Sequence, residues 1–147
     1  MEPSWLARAH GVFNLAFGIW PLIHYRSFEA VSGRKTDHWL VKTVAGLLAA
    51  VGYVQLRGAS SPDGRAAARR AGIGTAATFI IIDLRYVSTG RISRIYLLDA
   101  ILEACWLGAW AAHLAMSRKL CTAVAIEGPH RDGRAAGRRP PGSLSLG

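Results

Sequence analysis

IYLLDAILEACWLGAWAAHLAM, residues 95–116, is long enough as a helix to cross the roughly 30 Å hydrocarbon core of a bilayer, yet Asp99, Glu103 and His113 lie inside it. Asp99, Glu103, Trp106, Trp110 and His113 follow one another at steps of four, three, four and three. On a 3.6-residue period they share one stripe of the helix, leaving Leu, Ile and Ala to much of the other face. An ionised carboxylate turned toward lipid costs roughly 2.5 kcal/mol or more even on lenient insertion scales, so the stripe is expected to face inward, against basic partners.

The composition agrees with a membrane setting. Of the 147 residues, 51% are hydrophobic while the net charge is +9, so the apolar residues stand in blocks with the charges between them. Lys and Arg that bracket apolar runs point to lipid headgroups and topology, and nucleic acid is not an expected partner. Cys105 and Cys121 form no CxxC pair and no metal-ligand spacing, so both read as small apolar side chains. The first apolar run lacks a strongly basic start and a small-x-small cleavage site, so it is expected to stay as a membrane helix and not as a signal peptide.

Working outward, residues 5–25 form the first expected span, with His10, Asn14, Phe17, Pro21 and His24 on one face and Gly11 and Gly18 offering close helix contact. Pro21 is expected to kink or end it. Residues 26–38 read as a polar connection and residues 39–56 as a second span, with Lys42 near its start and a Gly46 to Ala50 small-residue step. Residues 57–70, RGASSPDGRAAARR, read as a loop on their Ser-Pro-Asp-Gly turn signal. A third span follows over about residues 72–87; it must start among residues 66–71 or take Asp83 into the membrane. The expected fold is all-α, an integral membrane four-helix bundle over residues 1–120. Residues 121–147, basic and rich in Gly, Ala, Arg and Pro, are expected to be a disordered cytoplasmic tail. Counting Lys and Arg on each side places both termini in the cytoplasm of a multi-pass cell-membrane protein.

Sliding the chain by 57 residues sets Gly33 and Arg34 on Gly90 and Arg91, Trp39 on Tyr96 and Leu40 on Leu97, as if two related helical hairpins made the bundle. The same register sets Lys42 on Asp99 and Arg26 on Asp83, which suggests that each hairpin supplies the other's counter-ion. His24, Arg26, Lys42, Asp83, Asp99 and Glu103 then fall in the outer third of the membrane, with Trp106 and Trp110 beneath, as a polar pocket. Glu103 is the deepest carboxyl and has no assigned cation; His24 is its expected proton-exchanging neighbour. On this depth count His10 belongs near the other face and cannot join the cluster. His10 and His24 are also about 21 Å apart along a helix, so no single metal is held by both, and no metal site is expected.

The run RAHG within residues 8–18 and the STGRISRIYLLDAILE segment beginning at Ser88 resemble small bacterial membrane proteins of the DoxX-like type. That resemblance implies a four-helix integral membrane protein of a family linked to respiratory or thiol redox chemistry beside larger complexes. It carries over no cofactor ligands, and no residue here names a cofactor. Nucleophile triads, phosphate loops, haem and HExxH zinc motifs are absent from the sequence. Two functions stay open. One is an accessory or lipid-binding bundle whose partners are membrane lipids, a larger membrane complex or further copies of itself. The other is a small membrane enzyme, redox-associated or similar by fold-level analogy to lipid isomerases, using Glu103 as general acid or base.

Overall fold

A computed structural model describes residues 3–127 of the protein. Five helices follow one another, with no strand among the described residues: α1 (Ser4–Ile23), α2 (Tyr25–Ser32), α3 (His38–Gly58), α4 (Pro62–Ser88) and α5 (Tyr96–Glu127). Two compact units divide the chain. One runs to Leu114; the other starts at Ala115, and its described part is helix.

Three stretches are long and apolar enough to cross a membrane: α3, α4 and Tyr96–Leu120 of α5. α1 has 20 residues but includes Arg8, His10 and Asn14 and is not among them. In each of the three, only 17% of the apolar window is buried. Trp39, Leu47, Ile81, Leu98, Ile101 and Met116 are exposed, while His10, Asn14, Gln55, Asp83 and Glu103 are buried. Apolar side chains outside and polar ones inside reverse the arrangement of a water-soluble domain and match a lipid solvent.

The connections are shorter than the sequence suggests. The Ser-Pro-Asp-Gly signal starts a helix instead of making a turn: Ser61 Oγ accepts from the Gly64 N–H at 3.1 Å, Pro62 takes the first helical position and Asp63 sits in the first turn. α4 therefore begins at Pro62, ahead even of the expected start among residues 66–71, and also takes in Asp83. The expected polar connection 26–38 contains α2, which His24 starts by accepting from the Ser27 N–H at 3.3 Å. Pro21 is accommodated, and α1 ends two residues later. α5 continues through the first seven positions of the expected tail because CTAVAIE holds neither Gly nor Pro to break it; residues 128–147 of that tail lie outside the described residues.

α1 and α3 meet backbone to backbone. A Cβ at Gly18 would fall on the Ala49 backbone, one at Gly52 on the Leu15 backbone, and one at Gly11 would lie 2.9 Å from the Gly52 carbonyl oxygen. With hydrophobicity unable to drive association inside lipid, this close approach lets dispersion and polar contacts hold the helices together. The expected Gly46 to Ala50 step is not part of it, since Gly46 has no such neighbour within 4 Å; Ala45, Ala49 and Gly52 form the contacting face instead. Beside this seam, Leu6, Ala7, Ala59, Ala68 and Trp110 make a buried apolar cluster, with Ile73, Trp106 and Ala109 packed against it.

Candidate functional site

The polar groups that must avoid lipid gather in two places. Around the apolar cluster, Asn14 of α1 donates through Nδ2 to Gln55 Oε1 of α3 at 2.7 Å, and Gln55 Nε2 donates to the Ala68 carbonyl of α4 at 3.3 Å. Three helices are thereby clasped by two amide side chains. Trp110 Nε1 donates to His10 Nδ1 at 3.1 Å, and the Trp106 ring stacks on His10 with centroids 4.6 Å apart. Gly72 makes this possible, because a Cβ there would stand 2.7 Å from His10 Nδ1.

Because His10 accepts at Nδ1, its neutral ring carries the proton on Nε2. That Nε2 faces Glu103 Oε2 at 3.9 Å, beyond hydrogen-bond reach, and both atoms are buried without a hydrogen-bond partner. His10 thus stands next to the carboxyl from which depth counting excluded it. The count set both helices flush across a full bilayer, whereas α5, at 32 residues and about 48 Å, is free to start out of level with the end of α1.

Past Glu103, toward the end where α4 finishes and α5 begins, the helices part around a cavity of about 590 Å³. Phe13, Phe17 and Trp20 of α1 line one wall as a ladder, the first two centroids 4.5 Å apart, and Phe28 of α2 meets Trp20 edge-on at 5.7 Å. Val44, Leu48, Phe79, Ile82 and Leu102 extend the apolar lining. Lys35 is fixed at the side formed by α2 and the first turn of α5: its Nζ donates to the Ser32 carbonyl at 3.0 Å and lies 4.6 Å from the centre of the Tyr96 ring.

Asp83, Asp99 and Glu103 complete the lining. Asp83 and Asp99 line the same cavity and lie close enough for their carboxyl groups to repel each other when both are ionised. The charged neighbours of Glu103 include these same two carboxyls. Asp83 and Glu103 are each 2% exposed, and Asp83 Oδ2, like Glu103 Oε2, has no hydrogen-bond partner.

Of the residues expected to meet in a polar pocket, the structure brings together Asp83, Asp99 and Glu103. Trp106 and Trp110 enclose His10 instead of lining the cavity. The expected ion pairs do not form: Lys42 and Arg26 are exposed, and neither reaches a carboxylate among the described residues. α3 buries the face of Ala45, Gly52 and Gln55, next to which Val41 lies; Lys42 is about 100° of helix rotation beyond Val41 and turns outward. The counter-ion argument from a 57-residue repeat fails with them. His24 is exposed, caps α2 and lines a separate groove with Val12, Leu15 and Ile19, so it is no neighbour of Glu103. His10 and the aromatic ladder were missed as lining and neighbours. Their signal was the step of four and three from Phe13 to Phe17 to Trp20, which shares Phe17 with the His10 and Asn14 stripe and flanks it at Phe13 and Trp20.

Among the described residues, no group of three or more His, Cys, Asp and Glu has the arrangement of a metal site. Compared with protein-family models, with curated proteins and with solved structures, the chain gives no match.

Proposed function

We propose that the protein is a multi-pass membrane protein that binds a lipid-like amphiphile in the cavity beside Asp83, Asp99 and Glu103. In this reading α1 serves as a fourth span, held in place by its glycine seam with α3, and the long helices form a four-helix bundle. The excess of Lys and Arg near the chain ends and around the α3–α4 junction (Arg57, Arg65, Arg69 and Arg70) supports a topology with both termini in the cytoplasm and the cavity in the outer part of the membrane. A DoxX-like accessory role beside a larger membrane complex belongs to the same reading.

The observation that carries it is the cavity itself. Its 590 Å³ falls within the roughly 300–1,000 Å³ of small-molecule sites, and its walls are apolar and aromatic with a few convergent polar groups. Lipid extraction and mass analysis of the full chain, purified in nanodiscs of defined lipid, tests it. One amphiphile is expected to be retained at near-stoichiometric amount, and to be lost when Val41→Trp narrows the cavity. Equal retention by both proteins would sink the proposal.

The 3.9 Å approach of His10 Nε2 to Glu103 Oε2 favours a second reading, a small membrane enzyme in which Glu103 is the acid or base and His10 its proton-exchanging neighbour. The two readings separate on the retained molecule: a binding protein returns it unchanged after prolonged incubation, whereas an enzyme returns a product of different mass or double-bond position.

A further inference from the structure

The cavity is chemically lopsided, and this narrows what fits it. Its apolar walls need no polar partner, but Asp83, Asp99 and Glu103 line it, and the buried Asp83 Oδ2 and Glu103 Oε2 have no hydrogen-bond donor. Three carboxyl groups share the lining of this one cavity, so negative charge gathers there as they ionise. Such charge is costly at this depth unless it is paired and hydrogen-bonded. His10 does not meet the need, since its Nε2 stops 3.9 Å from Glu103. Lys35 is the one lysine or arginine among the lining residues, and it is already engaged by the Ser32 carbonyl and the Tyr96 ring.

A ligand's head could be anionic, neutral or cationic. An anionic head would add like charge to the acidic cluster. A hydroxyl supplies one donor and no charge. A protonated primary amine supplies three N–H donors and one positive charge, matching acceptors on three side chains. An aromatic-lined cavity next to them suits an apolar body attached to that head. We propose that the cavity takes a cationic amphiphile, an alkylammonium head seated on Asp83, Asp99 and Glu103 with its apolar part along Phe17 and Trp20. The proposal depends on the cavity being a binding site, as above, and adds the charge class of its ligand.

Four probes and the full chain in nanodiscs of neutral phosphatidylcholine test it by native mass spectrometry. Dodecylamine, protonated at neutral pH as a lysine side chain is, should bind about tenfold or more tighter than dodecanol or dodecanoate. Methylammonium, the head without a chain, should bind far more weakly than dodecylamine. The double variant Asp99→Asn with Glu103→Gln keeps the shapes of both side chains and should lose the preference for the amine while still binding dodecanol. Val41→Trp provides the background for partition into the lipid. Equal binding of amine and alcohol, a preference for dodecanoate, or an amine preference that survives in the double variant would overturn the charge assignment while the binding site stands. Methylammonium matching dodecylamine would replace the amphiphile with a bare cation. Failure of all three dodecyl probes to exceed the Val41→Trp background would remove the site and this assignment together.

Discussion

The two polar regions inside the helices differ in one respect that separates structure from site. Where Asn14, Gln55, His10 and Trp110 gather, all three amide and indole groups that donate find acceptors and glycines let backbones touch, so the helices close up, with only Asn14 Oδ1 and His10 Nε2 left over. Where Asp83, Asp99 and Glu103 gather, acceptors outnumber donors and bulky aromatic residues stand between the helices, so a cavity remains. Buried polar groups that are paired hold a fold together; buried polar groups left without partners cost stability and are kept where a site uses them.

The sharpest way to break this contrast is at the seam. Gly18→Leu would drive a side chain into the Ala49 backbone, and α1 should part from α3 at a cost of about 3 kcal/mol or more, read as loss of monodisperse protein. Gly46→Leu, on the same helix pair but with open space, should leave it intact. Next in size, Gln55→Leu removes both bonds of the amide clasp and strands Asn14, at about 1–3 kcal/mol, measured as a lower unfolding temperature in nanodiscs. On the open side the sign should change. Glu103→Gln removes a carboxyl that lacks a cation partner, so thermal stability should hold or rise slightly while ligand retention falls; a drop like that of Gln55→Leu would make Glu103 a structural group and end the distinction. The smallest effect belongs to Lys42→Ala and Arg26→Ala, each within about 0.5 kcal/mol, because neither side chain pairs with the acidic cluster.

Much of this was legible in residue order. The inward stripe of α5 followed from the step between Asp99 and Glu103, and the close approach of α1 followed from Gly11 and Gly18. The start of α4 was misread because Ser-Pro-Asp-Gly suits a turn and a helix start equally well, and only the Ala-rich segment after it, free to hydrogen-bond onward, selects the helix. The partners of the carboxyls were misread for another reason. A match of charges at equivalent positions says nothing about which way each side chain turns, and Lys42 turned outward.

By itself the sequence determined where the long apolar helical runs lie, though not α2 or the helix ends, and that Asp83, Asp99 and Glu103 could not face lipid, because length, periodicity and solvation cost are local properties of a helix. Tertiary structure alone decided that His10 meets Glu103, that the two aspartates meet each other and that an aromatic-walled space lies beside them. Those outcomes depend on the offset and rotation of one helix against another, which contacts between residues 100 apart, such as Trp110 with His10, set and no local pattern encodes.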